Sequence, residues 1–167
     1  EENHRLGLNI AAACFEGHEE ELLMTEITQP AILTTSIAIL RVMQQEGLSC
    51  DYTAGLSLGE YSALVNAGCI DFSDAVKLVQ NRGIYMQKIV PAGVGGMGAI
   101  VGLSYDSIKE LIEYAKEDGI VEIANYNTPE QIVLSGEKMA IKKAIKKAKE
   151  LGARKPLLLP VSAPFHC

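Results

Sequence analysis

The chain has 167 residues, 48% of them hydrophobic and 22% charged, with a formal charge of −6 at pH 7. That length and apolar fraction suffice for a packed core and exclude a disordered chain. The acidic balance argues against a nucleic-acid partner, because neutralising phosphates requires a basic surface. The longest apolar runs, such as 156–161, fall far short of the ~20 residues of a membrane span.

Cys14, Cys50, Cys69 and Cys167 lack Cys-x-x-Cys spacing and a nearby histidine pair. Neither a metal site nor a disulfide framework is indicated, and reduced thiols in a cytoplasmic protein are expected; a monomer is the expected state. No cationic segment precedes an apolar stretch at the start, so nothing points to export. The chain lacks an initiator methionine, opens on Glu-Glu-Asn-His-Arg and stops at Cys167, and so reads as a piece of something longer.

In chain order, 28–46 is predicted to be a mostly buried helix, with Thr28 as N-cap, Pro30 in the first turn and Gly47 just past its end. Tyr52-Thr53-Ala54 reads as a short strand. Gly55 to Gly59 then turn into a second helix, 60–66, and a third is expected over 73–89, capped by Ser73 and closed by Pro91. The glycine-rich stretch from Gly93 to Gly98 matches G-x-G-x-x-G. It follows a helix and precedes a strand, however, the reverse of what phosphate binding needs, and is read as a flexible junction.

Beyond it the pattern becomes strand (99–103), helix (105–116), strand (120–124), strand (131–134), helix (138–151) and strand (155–159). Gly119 and Gly152 suit helix ends, and Asn127-Thr128-Pro129-Glu130 is turn chemistry. The order βαββαβ predicts a ferredoxin-like subdomain. Residues 97–160 would form it, inserted in an α/β domain built from 1–93 and 161–167.

Gly55-Leu56-Ser57-Leu58-Gly59 is a G-x-S-x-G pattern, in which small flanking residues let a serine stand on a strained strand-to-helix turn. The bare pattern is weak and also fits a glycine-rich turn with a solvated serine; the strand before and helix after favour a nucleophile. The main-chain N–H of Leu58 is placed to serve as an oxyanion donor. A serine needs a base, and three histidines are available. His4 and His18 lie in polar or acidic surroundings typical of surface residues. His166 follows a Pro-bracketed loop that suits a residue delivered back to a site, although by spacing alone it equally suits a disordered terminal histidine.

Arg82 stands in an otherwise apolar helical stretch, either snorkelling to water or offering a fork for a substrate carboxylate. Tyr85 and Met86 beside it read as packing rather than cofactor contacts. Lys142, Lys143, Lys146, Lys147 and Lys149 have helical spacing, which fits a solvated face or a dock for an acidic partner.

Taken together, Thr28-Gln29-Pro30-Ala31, Gly55 to Leu64 (GLSLGEYSAL), Asn81-Arg82-Gly83 with Met86-Gln87, Asn125 to Gly136 (NYNTPEQIVLSG) and Val161 to Cys167 (VSAPFHC) resemble the malonyl-CoA:acyl carrier protein transacylases of fatty acid synthesis. The resemblance covers nearly the whole chain. It implies a hydrolase-like α/β domain with an inserted ferredoxin-like subdomain, Ser57 as nucleophile, His166 as base and Arg82 as holder of the malonyl carboxylate. Met86 and Phe165 become substrate-binding positions, and Phe165 implies that a branched methylmalonyl group fits less well. Malonyl-CoA and acyl carrier protein are then the partners, with the CoA thioester as substrate and no separate cofactor.

Two departures stand out. Leu56 occupies a position where the family usually has histidine. The glutamine-bearing glycine motif that donates to the oxyanion lies before residue 1 in relatives, and the segment that orients the catalytic histidine lies after residue 167. The chain alone is therefore expected to be a weak enzyme. Competing readings are an esterase of the α/β-hydrolase type and a non-catalytic module that docks a carrier protein through its lysine-rich helix.

Overall fold

The computed structural model describes residues 9–17, 22–91, 93–161 and 163–167. His4 and His18 lie outside them. The described residues form a mixed α/β structure whose contacts divide into two units, Glu1–Tyr85 and Met86–Cys167.

The first unit holds α1 (Ile10–Glu16), α2 (Thr25–Gln45), α3 (Gly59–Asn66) and most of α4 (Phe72–Ile89), which runs past the division. Its core joins Ile10 of α1, Ala31, Leu33 and Ile37 of α2, Val65 of α3, and Ala75, Val76 and Val79 of α4. Asn9 caps α1 by accepting from the Ala12 amide at 3.0 Å. Helix α2 begins three residues before its predicted start, so Thr28 is not its cap. The Thr28 hydroxyl instead donates back to the Met24 carbonyl at 3.0 Å and to the Leu22 carbonyl, as threonines do inside helices. Gly47 does follow the helix with φ 84°. The burial expected along all of α2 stops short, since Ile32, Ile39 and Val42 are exposed.

No strand forms over Tyr52-Thr53-Ala54. A strand exists only where a neighbour completes its ladder, and all four described strands belong to the second unit.

In that unit, β1 (Gly95–Val101), α5 (Tyr105–Ala115), a 3₁₀ turn (Lys116–Asp118), β2 (Val121–Thr128), β3 (Gln131–Glu137), α6 (Lys138–Glu150) and β4 (Leu157–Leu158) follow one another. The order is the predicted βαββαβ. The sheet runs β2-β3-β1-β4 with every neighbouring pair antiparallel. Strand β2 continues to the Pro129-Glu130 turn, four residues further than predicted, because a hairpin pairs its strands up to the turn, and β3 begins at Gln131 as predicted but runs on to Glu137; the Glu130 amide donates to the Thr128 hydroxyl at 3.2 Å. Ser104 caps α5 by accepting from the Ser107 amide.

Side chains alternate between the two faces of the sheet. Ile100, Val121, Ile132 and Leu134 pack on Ile108, Leu111 and Ala115 of α5 and on Ile141, Ala144 and Ala148 of α6. On the opposite face Met97, Ala99 and Val133 meet Leu159, Val161 and Phe165.

The glycine-rich stretch is therefore no flexible junction. Gly95, Gly96 and Gly98 are buried residues of β1. A Cβ on Gly95 would lie 2.2 Å from the Pro164 ring, and one on Gly98 would lie 3.0 Å from Ile145. These glycines let neighbouring groups approach the strand closely.

Replacing Gly98 by valine forces two methyls against Ile141 and Ile145, and is expected to cost about 1–3 kcal/mol in urea unfolding. A flexible linker would show no change in midpoint.

Candidate functional site

Within the first unit, Ser57 sits between the irregular residues 52–55 and the start of α3, with φ 55°. For a non-glycine residue that left-handed conformation costs roughly 1–2 kcal/mol and requires support from its surroundings. The local bonds supply a turn. The Gly59 amide donates to the Leu56 carbonyl at 2.9 Å, and the Tyr61 amide to the Leu58 carbonyl at 3.1 Å. Gly55 closes it from the other side, since a Cβ there would lie 2.1 Å from the carbonyl of Gly59. Leu58 is the N-cap residue of α3. Its amide is among the N–H groups at the helix start, where the positive end of the macrodipole favours an anion.

Arg82 projects from α4 onto this turn. Its Nη2 donates to Ser57 Oγ at 2.7 Å, and its Nη1 donates to Gln29 Oε1 on α2. The Tyr61 ring lies 6.0 Å from the guanidinium carbon, within reach of a cation–π contact. Arg82 is thus half-buried and hydrogen-bonded rather than snorkelling, and the structure brings Ser57 and Arg82 together. A positive group on the hydroxyl oxygen favours its deprotonated form, and a guanidinium edge suits a carboxylate. Gln29 was missed as a site residue. The available signal was its position as a polar side chain in an apolar helical run.

His166 and Phe165 belong to the second unit and are placed there. Phe165 packs on the face of Met97, Ala99 and Val133. His166 is exposed and has φ 60°. Ser57 and His166 are the only non-glycine residues with positive φ among those described. Met86 is half-buried on α4, one turn after Arg82.

Cys167, next to His166, is a rival nucleophile by chemistry. Burial pushes its thiol above the ordinary value, and the charge of Glu122 and a hydrogen bond to it push the same way. That direction favours the protonated thiol over the nucleophilic thiolate. Among the described residues no cluster of metal-ligating side chains is found.

The lysine-rich helix is partly committed within its own unit. Lys143 pairs with Glu117 at 2.9 Å and Asp118 at 3.3 Å, stands over the Tyr114 ring, and has its pKa raised chiefly by the Glu117 bond. Lys147 pairs with Glu150.

A serine at a strained turn before a helix, with an arginine on its hydroxyl, is the arrangement the first unit presents. Residues 3–166 match the acyl transferase domain family, and the chain belongs to it. The chain is 50% identical over 163 residues to the malonyl CoA-acyl carrier protein transacylase of Escherichia coli K12, covering 97% of this chain and 53% of that protein. It also matches the crystal structure of the acyl-carrier-protein S-malonyltransferase of Burkholderia pseudomallei 1710b, with a TM-score of 0.91 and 47% identity over 99% of this chain and 54% of that one. The malonyl-transacylase of a complex with a type II PKS acyl-carrier protein is 46% identical, with a TM-score of 0.92 over 99% of this chain and 54% of the other. The resemblance to the transacylases is borne out. The chain spans about half the length of the curated relatives it matches.

The two glycines of the motif are expected to behave differently. Gly55→Ala should lower stability by about 1–3 kcal/mol, because its methyl meets main chain. Gly59→Ala, where an added Cβ meets nothing within 4 Å, should stay within about 0.5 kcal/mol. Urea unfolding of both variants measures the contrast.

Proposed function

We propose that the chain carries the nucleophile, base and carboxylate holder of a malonyl-CoA:acyl carrier protein transacylase. The observation that carries this is the hydrogen bond from Arg82 Nη2 to Ser57 Oγ, which sets a carboxylate-binding group on the hydroxyl that would bear the acyl group. His166 takes the proton as Ser57 Oγ attacks the thioester carbon of malonyl-CoA. The Leu58 N–H, with a second donor, holds the oxyanion. The C–S bond breaks, CoA leaves as the thiol after regaining a proton from His166, and malonyl remains as an ester on Ser57. The phosphopantetheine thiol of acyl carrier protein then attacks that ester in the same way, and Ser57 regains its proton.

Arg82 forms paired bonds to the malonyl carboxylate, with Met86 and Phe165 contacting the acyl chain. A hydrolase-like α/β domain, from 1–93 and 161–167, carries this machinery, and 97–160 is its ferredoxin-like insert. The insert is supported by the βαββαβ order and the β2-β3-β1-β4 antiparallel sheet. A cytoplasmic monomer working without a cofactor, nucleic acid or membrane completes the proposal. Composition and the resemblance support the location and the absence of a cofactor, nucleic acid and membrane, and the monomer is proposed without them; in addition, no described helix is long and apolar enough to cross a membrane.

Arg82 favours a transferase over a general esterase, because an ester hydrolase has no need of a carboxylate holder at its nucleophile. The docking-module alternative is weakened by the internal pairing of Lys143 and Lys147.

Intact-mass spectrometry after incubation with malonyl-CoA tests the proposal. One malonyl group should accumulate on the Ser57 peptide and none on Cys167, and Ser57→Ala should abolish it. Loss of a charge-assisted bond of about 1.5–3 kcal/mol predicts that Arg82→Ala slows loading roughly 10–150-fold. Absence of the adduct, or its persistence in Ser57→Ala, overturns the proposal.

A further inference from the structure

Gln29 is only 5% exposed and lies on α2, and a buried amide is costly unless hydrogen-bonded. Its Oε1 accepts from Arg82 Nη1, the terminal nitrogen that does not touch Ser57. We infer that Gln29 is a positioning residue: it fixes the plane of the Arg82 guanidinium and so sets the preference for acyl groups that end in a carboxylate. The inference rests on the transfer proposed above.

An arginine recognises a carboxylate through a planar fork, and recognition is lost when the plane turns. Left to itself, the long side chain samples many rotamers. Here three contacts restrict it: Gln29 on one nitrogen, Ser57 on the other, and the Tyr61 ring 6.0 Å from the guanidinium carbon. When Ser57 bears a malonyl group, the terminal carboxylate lies two carbons from the ester carbonyl oxygen and its ester linkage. The nitrogen that held the hydroxyl is then within reach of that carboxylate, and Gln29 still holds the opposite edge.

The local backbone explains why glutamine can do this. A Cβ on Gly83 would lie 2.5 Å from the Thr25 carbonyl oxygen, so α4 approaches the start of α2 closely. Thr25 and Gln29 are one turn apart on α2, and Arg82 adjoins Gly83, which brings the two side chains to hydrogen-bonding distance. The acceptor is also neutral. It orients the guanidinium without cancelling the charge a substrate carboxylate needs, whereas a glutamate would compete for it as an ion pair.

The test is single-turnover acylation of the 167-residue chain by malonyl-CoA and by acetyl-CoA, read by intact mass for the unmodified chain, Gln29→Met and Gln29→Glu. Methionine keeps the volume and removes the acceptor; urea midpoints establish that each variant is folded. Gln29→Met should slow malonyl loading about tenfold or more and leave acetyl loading within about twofold. Gln29→Glu should slow malonyl loading further. Equal slowing with both thioesters would make Gln29 a packing residue only and overturn the inference.

Ser57→Ala, run alongside, separates this from failure of the transfer itself. If label persists there, or none forms on any variant, the transfer proposal fails, and the position of the guanidinium is read directly from phenylglyoxal modification of Arg82. That modification should be several-fold faster in Gln29→Met; an unchanged rate overturns the inference.

Discussion

The close approach of α4 to the beginning of α2 is the constraint from which the first unit's site follows. Gly83 has no side chain to hold the helices apart, and the space a methyl would fill is occupied by the Thr25 carbonyl and the Glu26 backbone. Arg82, one residue earlier, is then carried against Gln29. A long cation that would ordinarily reach for water is instead half-buried between an amide oxygen, a serine hydroxyl and an aromatic ring. Partial desolvation strengthens each of these bonds and raises the penalty for losing one.

The second unit solves a different problem by similar means. Its sheet must be covered on both faces, and β1 lies at the centre with β3 on one side and β4 on the other. Glycine at 95 lets the Pro164 segment close over one face, and glycine at 98 lets Ile141 and Ile145 pack tightly on the other. Phe165 joins the first of those faces with Met97, Ala99 and Val133. The residue after Phe165 is His166, so the packing of a hydrophobic neighbour determines where the imidazole begins.

The parts legible in the sequence were those set by local chemistry. The βαββαβ order was readable because each helix has an apolar stripe and the hairpin has a turn written as Asn-Thr-Pro-Glu. Ser57 and Arg82 were readable because a serine between glycines and an arginine in an apolar helix are both chemically unusual. What failed depended on tertiary neighbours. Tyr52-Thr53-Ala54 has strand-like composition, but pairing is a property of two segments. Gly93 to Gly98 looked flexible because glycine supplies no pattern of its own; only its neighbours reveal that the absent side chains make room for packing. Thr28 looked like a cap because threonine caps and mid-helix threonines share a sequence signature and differ in whether the hydroxyl accepts from an amide or donates to a carbonyl. Gln29 was visible as part of a motif, yet its bond to Arg82 spans 53 positions and no local rule predicts it.

The turn at Ser57 shows how the motif divides its work between strain and packing. Serine takes the left-handed conformation, with φ 55°, although glycine stands on both sides of the motif and would adopt it at lower cost. The glycines therefore serve another purpose. Gly55 lies where any Cβ would collide with the carbonyl of Gly59 and the amide of Glu60, and its smallness allows the chain to fold back onto the start of α3. That tight return holds Ser57 in its unfavourable geometry and aims Oγ at the Arg82 guanidinium. A relaxed serine would turn its hydroxyl elsewhere and leave Arg82 bonded on one edge only. The strain at Ser57 and the burial of Arg82 are thus mutually dependent: each persists because the other holds it in place.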